Sequence, residues 1–305
     1  MKPRPFDYVR PDSVEEVLAL LAEYGDDARI LAGGQSLLPM LNLRLIDARV
    51  LIDISRLDEL DVIRGVDDAK DDGAVEQPPP QEKSLPGGLR VIENPHFGEK
   101  VEVGAAVTQD KLMNWPQLKT KLPLLAAALP FVGHFQTRNR GTVCGSVAHA
   151  DPSSEIPLVL ATLNGEVVLR SQRGIRILRA GNFQKDVLTT TREPDELVVA
   201  VRFPVIRRQA VAFREVARRH GDFAIMAFAA VVTDTWVHLG IGGFAGIPVV
   251  PGFRIDGNDK FPDWFAEWVE QMEGYDDLHA SAAMRRDLCR NLAPQVVREA
   301  MACVG

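Results

Sequence analysis

The longest unbroken apolar run in this chain is residues 223–232, ten in a row, followed by the polar pair Asp234-Thr235 and a second apolar stretch at 236–241. A helix needs roughly 20 apolar residues to cross a bilayer, about twice that length. Two apolar stretches around a two-residue polar break predict a strand hairpin, 225–233 with 236–241, inside a sheet. Around it the periodicity predicts strands at 29–32, 50–54, 100–103, 166–170, 175–179, 196–202 and 211–216. It predicts helices at 13–24, 108–114, 122–129, 156–163 and most of 262–304. The reading is an α+β fold. With 305 residues the chain is long enough for two domains, expected at 1–205 and 206–305.

The first helix is the clearest. Ser13 and Glu16 have capping-box spacing, Val14, Val17, Leu18 and Leu21 form one apolar stripe, and Gly25 ends it. Between Asp67 and Pro95 the composition changes to seven acids, three bases and five prolines, including Pro78-Pro79-Pro80. That stretch carries −4 of the formal net charge of −7 and reads as an exposed, extended loop or hairpin, a candidate docking element. The mildly acidic balance, with no basic stripe, gives no footprint for nucleic acid. The N-terminus lacks a secretory apolar stretch, so a cytoplasmic protein is expected.

Cys144, Cys289 and Cys303 are far apart and odd in number, which argues against a disulfide scaffold, a zinc site or a self-contained iron–sulfur cluster. The six histidines show no ligand spacing, so no metal site is expected, and any redox chemistry needs an organic cofactor. Gly240-Ile-Gly242-Gly-Phe-Ala245 matches G-x-G-x-x-A, but Pro248 and Pro251 follow where that fingerprint needs a helix. His149, Asp151 and the nearby serines lie too close in sequence for a hydrolytic triad. The four tryptophans read as packing.

Two segments carry chemistry. In Leu31-Ala32-Gly33-Gly34-Gln35-Ser36-Leu37 a strand runs into two glycines and a helix-like stretch, so main-chain N–H groups can approach an anionic ligand. A tight core turn would read the same way. The second, residues 141–155, is rich in small and hydroxyl side chains. Thr142 and Ser146 offer hydroxyls, and Asp151 and Glu155 offer acceptors for a ribityl or ribose hydroxyl. Its bland alternative is an irregular surface loop.

Together the segments resemble the flavin-binding medium subunit of the molybdenum hydroxylases, the family of carbon monoxide dehydrogenase and xanthine dehydrogenase. Ala32-Gly33-Gly34-Gln35-Ser36-Leu37 is similar to that family's A-G-G-x-S-L loop. Arg138-Asn139-Arg140-Gly141-Thr142 and His149-Ala150-Asp151-Pro152-Ser153-Ser154-Glu155 resemble its second loop. Asp195-Glu196-Leu197 matches its D-E-L element, and residues 213–224 resemble its F-x-K-x-x-x-R-x-x-D-F-A segment.

The resemblance implies a two-lobed FAD-binding domain of the PCMH (vanillyl-alcohol-oxidase-like) type, then a smaller antiparallel sheet-plus-helices domain. It places FAD against Ala32, Gly33, Gly34, Gln35, Ser36, Leu37, Thr108, Gly141, Thr142, Cys144, Gly145, Ser146, His149, Asp151 and Leu197. The diphosphate falls on the amides of 32–36 and 142–146, Asp151 on the polar chain, and the Leu197 backbone near the flavin ring. No catalytic residue is implied. The implied partners are a large subunit with the molybdenum cofactor and a small one with two [2Fe–2S] clusters, in a dimer of heterotrimers. Electrons would pass from the clusters through FAD to an external acceptor.

Three positions depart from the family's pattern. Gln35 stands where many relatives have His, Cys144 where the first glycine of G-G stands, and Glu215 where relatives often have Lys. Glu215 either faces the flavin ring or is a solvated strand residue. Two rival readings are a stand-alone flavin oxidase or dehydrogenase and a structural subunit without flavin. Carbon monoxide, an aldehyde, a purine and an N-heteroaromatic such as nicotine all stay open as substrates of the complex.

Overall fold

The computed structural model describes residues 2–67, 75–76, 98–254 and 261–303. The acidic, proline-rich stretch 67–95 therefore lies almost wholly outside the described residues. The chain opens with β1 (Asp7–Val9), α1 (Val14–Tyr24), β2 (Ala28–Leu31), α2 (Leu37–Asn42) and β3 (Val50–Asp53). The three strands form a parallel sheet in the order β1-β3-β2. Ser13 starts α1 as its spacing predicts: the hydroxyl accepts the Glu16 N–H at 3.3 Å, and the Glu16 carboxylate takes the Asp12 N–H at 2.9 Å. The Val14/Val17/Leu18/Leu21 stripe is buried.

Next come β4 (Ile63–Asp67), β5 (Val75–Glu76) and β6 (Glu99–Gly104), then six short helices: α3 (Gln109–Met113), α4 (Leu118–Lys121), α5 (Pro123–Ala128), α6 (Phe135–Arg138), α7 (Val143–His149) and α8 (Glu155–Thr162). After β7 (Glu166–Ser171) and β8 (Gly174–Arg179) follow α9 (Ala180–Phe183), the small pair β9 (Gln184–Asp186) and β10 (Thr189–Thr190), and β11 (Leu197–Pro204). These build a six-stranded sheet, β4-β6-β11-β7-β8-β5, antiparallel except for β5 on β8.

One cross-strand row of this sheet alternates in charge. Arg64 stands opposite Glu102, Glu102 opposite Arg202, Arg202 opposite Glu166, and Glu166 opposite Arg179. Arg202 Nε meets Glu102 Oε2 at 2.7 Å, Arg179 Nη1 meets Glu166 Oε1 at 2.9 Å, and Lys100 Nζ reaches the same oxygen at 2.7 Å. Glu102, Glu166, Arg202 and Lys100 are all buried. A one-residue slip of any strand would place every one of these charges opposite the wrong neighbour, so the row pins the register.

The last sheet, β12 (Ala210–Val216), β13 (Met226–Val232), β14 (Trp236–Gly242) and β15 (Gly252–Arg254), is antiparallel in that order, with the expected hairpin between β13 and β14. Helices α10 (Trp264–Gln271) and α11 (Ala282–Met301) complete the chain. The ten-residue apolar run now has its explanation. Ala227, Ala229 and Val231 point into the large core shared with α5 and α8, while Met226, Phe228, Ala230 and Val232 point into a second core under α10 and α11. A strand buried on both faces has no polar side. Trp264 and Trp268 belong to an aromatic cluster with Phe265, as packing residues. The G-x-G-x-x-A match is the end of β14 and a turn at Gly243 (φ +74°), with no helix after it.

Candidate functional site

The first loop leaves β2 at Leu31 and enters α2 at Leu37. Gly34 has φ +69°, a left-handed turn that suits glycine. The main-chain N–H groups of Gly33, Gly34, Gln35, Ser36 and Leu37 donate no hydrogen bond to any described residue. Gln35 folds back, its amide donating to the Gly33 carbonyl at 3.2 Å. Its side chain therefore serves its own loop. The Ser36 hydroxyl makes no cap bond.

The second segment is more regular than its composition indicates. Residues 141–155, for which an irregular surface loop is the bland alternative, contain α7 and the start of α8. Helix α7 forms because Thr142 caps it, Oγ1 accepting the Gly145 N–H at 3.0 Å, and because Val143, Cys144 and Val147 face the core. The Thr142 oxygen accepts that bond, and its hydroxyl hydrogen stays available as a donor. The Cys144 side chain points away, its thiol donating to the Val103 carbonyl at 3.4 Å, with burial pushing its pKa up. What Thr142 and Cys144 leave open is their main-chain N–H groups, which donate to no described residue. Gly145 and Ala148 are exposed on the outer face of α7, with Ser146 and His149 half-buried beside them. Burial holds the His149 pKa below its ordinary value, partly offset by Asp151. Ala150, at φ 54°, ends the helix, and Asp151 Oδ1 accepts the Ser153 N–H at 2.8 Å.

These two segments, about a hundred residues apart, touch. A Cβ on Gly33 would run into the Arg140 carbonyl and come within 2.7 Å of the Gly141 Cα. Thr108 bridges to Thr142, the Gln109 N–H donates to the Gly141 carbonyl at 2.8 Å, and the Val143 N–H to the Val107 carbonyl at 3.1 Å. The Thr108 hydroxyl accepts the Lys111 N–H and caps α3. The junction thus joins two sets of main-chain donors that have no partner among the described residues, the donor set a diphosphate takes. Leu197 is buried at the start of β11, its backbone paired with Arg170 on β7. Arg192 donates to the carbonyls of Glu193, Pro194 and Glu196, shaping the turn ahead of it. The Arg192 pKa is lowered by burial and then by Arg29 of β2, so that turn lies beside the strand leading to the first loop.

Glu155, expected as an acceptor for ligand hydroxyls, is buried at the start of α8, within electrostatic reach of the Glu215 carboxyl. Burial is the first cause that raises each of them, Glu155 to about 8 and Glu215 to about 7. Glu215 is half-buried, with Oε2 lacking a hydrogen-bond partner, so it is not a solvated strand residue. Sequence reasoning marked Glu215 as a departure but missed its partner, because the contact joins segments 60 residues apart.

Among the described residues no helix is long and apolar enough to cross a membrane. The family model of the FAD-binding domain in molybdopterin dehydrogenase matches residues 4–75 and 87–206. The 6-hydroxypseudooxynicotine dehydrogenase complex subunit alpha of Paenarthrobacter nicotinovorans is 37% identical over 234 residues, 76% of this chain and 69% of the relative. The nicotine 6-hydroxylase medium subunit of the same organism is 32% identical over 312 residues, 98% of this chain and 99% of the relative. A solved structure of carbon monoxide dehydrogenase from Hydrogenophaga pseudoflava superposes with a TM-score of 0.80 at 28% identity, covering 99% of both chains.

Proposed function

The chain belongs to the family of FAD-binding domains of molybdopterin dehydrogenases, as the FAD-binding medium subunit of an oxidoreductase complex of the molybdenum hydroxylase type, and from that premise we propose how it works. Its main chain holds FAD, and partner subunits carry the rest of the redox chain: the molybdenum cofactor on a large subunit and two [2Fe–2S] clusters on a small one. Such a complex is a cytoplasmic dimer of heterotrimers. Bound FAD supplies a redox centre that accepts electrons from the clusters and returns them to an external acceptor.

The work of this chain is binding and orientation. The N–H groups of Gly33 to Leu37, with those of Thr142 and Cys144, donate to the diphosphate. Gly141 and Gly145 keep Cβ bulk out of that approach, Ala32 adds only a methyl, and Ser36 and Ser146 add hydroxyl donors. Thr108 supports the junction from α3. His149 and Asp151 face the polar chain, and the Leu197 backbone lies toward the flavin ring. No side chain acts as acid, base or nucleophile. We assign these roles within a two-lobed PCMH-type domain, residues 1–205, followed by a smaller domain, 206–305. The supporting observation is the Gly33–Arg140 contact, which joins two loops of unpaired amides at one junction.

Co-expressing the chain with the subunits encoded beside it, purifying the complex and recording its visible spectrum tests the reading. The expected product is yellow with added iron–sulfur absorption, and a colourless intact complex would refute it. Gly33→Val should separate the loops and lower flavin content at least about tenfold, equivalent to about 1.4 kcal/mol. Full flavin occupancy in that variant would remove the site assignment.

A further inference from the structure

Arg285 lies in the first turn of α11 and is 1% exposed, the most deeply buried cation among the described residues. A helix N-terminus repels positive charge, and burial removes the water that would solvate it. Its place there depends on its partners. Nη1 donates to two main-chain carbonyls, Ile225 at 2.5 Å and Gly243 at 2.6 Å, and Nε donates to the Tyr275 carbonyl at 3.2 Å. Nη2 meets Asp277 Oδ2 at 2.6 Å, and the guanidinium carbon lies 4.2 Å from the centre of the Tyr275 ring. Asp277 is itself fixed, its Oδ1 accepting the His279 and Ala280 N–H groups at 2.8 Å each.

The two carbonyls on Nη1 belong to the two ends of the β13–β14 hairpin: Ile225 precedes β13 and Gly243 follows β14. Gly243 has little room to move, since its φ is +74° and a Cβ would come within 2.4 Å of the Ile225 carbonyl oxygen. Its N–H donates to the Pro152 carbonyl at 2.9 Å. Among the described residues this is the one main-chain hydrogen bond that ties residues 150–154 to the last sheet. The Gly243 backbone is thus held by Arg285 on one side and holds Pro152, the neighbour of Asp151, on the other.

We propose that Arg285, anchored by Asp277, is a positioning residue for FAD: through Gly243 it fixes Pro152, and with it the Asp151 carboxylate that faces the polar chain of the cofactor. This rests on the assignment of Asp151 to FAD. The chain beyond residue 205, to which no cofactor contact is assigned, thereby sets the geometry of one that is.

The test measures FAD dissociation constants and thermal melting on the full chain as wild type, Arg285→Lys, Asp277→Asn and Asp151→Ala, and with each of the first two changes combined with the third. Lysine keeps the charge, but its single nitrogen cannot serve Ile225, Gly243 and Tyr275 together. Arg285→Lys should raise the dissociation constant about tenfold and Asp277→Asn about threefold. On top of Asp151→Ala, which removes the side chain being positioned, each change should be worth less than about twofold. Val297→Ala, on α11 in the second core, should lower the melting temperature and leave FAD affinity at its wild-type value. Unchanged affinity in both Arg285→Lys and Asp277→Asn would overturn the proposal, as would an equal loss with and without Asp151, or an equal loss in Val297→Ala. If Arg285→Lys does not fold, Asp277→Asn decides by the same comparison. An Asp151→Ala chain that binds FAD as the wild type does would instead overturn the assignment of Asp151 to the cofactor, and the positioning role with it.

Discussion

The six-stranded sheet and the seam between α8 and β12 both bury glutamates, under opposite conditions. In the sheet, Glu102 and Glu166 each stand between cations, with Arg202 between the two, Arg64 beyond Glu102, Arg179 beyond Glu166, and Lys100 of the Glu102 strand also bonded to Glu166. At the seam, Glu155 faces Glu215 and is pushed further by Asp151. Burial of a charge is tolerated where opposite charges and hydrogen bonds replace water, and the sheet meets that condition. Burial of two like groups is tolerated only if one is neutral, which ties the seam to pH. The lesson is that a buried acid is a register device in one place and a titratable contact in the other, according to its neighbours.

The contrast can be broken most severely at the centre of the row. Glu166→Gln leaves buried cations without their carboxylate and should cost about 3–5 kcal/mol in urea unfolding. Next in size is the pH response of the wild type. The folded pKa of each seam carboxyl lies above the ordinary glutamate value of 4.5, Glu155 at about 8 and Glu215 at about 7. Their contribution is therefore fully present below about 4.5 and is lost as pH rises to about 8. Discounted for the half-exposure of Glu215, the loss should be about 1–2 kcal/mol between about pH 5 and about pH 8. Thermal melting across that range checks it. Glu215→Gln should stabilise the chain by about 1 kcal/mol at about pH 8 and be near neutral at about pH 5, because it removes one of two adjacent negative charges. The smallest effect belongs to Arg64, at the solvent end of the row with a side chain 64% exposed. Arg64→Ala should cost only about 0.2–1 kcal/mol, and a cost equal to that of Glu166→Gln would erase the distinction between the buried and exposed parts of the row.

Much of this was legible before any coordinates. The Ser13 cap, the stripe on α1, the β13–β14 hairpin and the glycine turn after β2 are local signals, each written within a short contiguous stretch of chain. Helix α7 was not legible, since Gly145, Ser146 and Ala148 dilute its apolar pattern and its stability comes from the Thr142 cap and three core-facing residues. The charge row was invisible because Arg64, Glu102, Glu166, Arg179 and Arg202 come from five strands, and nothing in their spacing declares that they align.

Residue order alone determined where the chain turns and caps, which runs must be buried, and which loops carry open amides, because those follow from backbone freedom and short-range periodicity. Tertiary structure decided which acids stand together. The interaction of buried charges depends on separation and on the water excluded between them, and both arise only when distant segments pack.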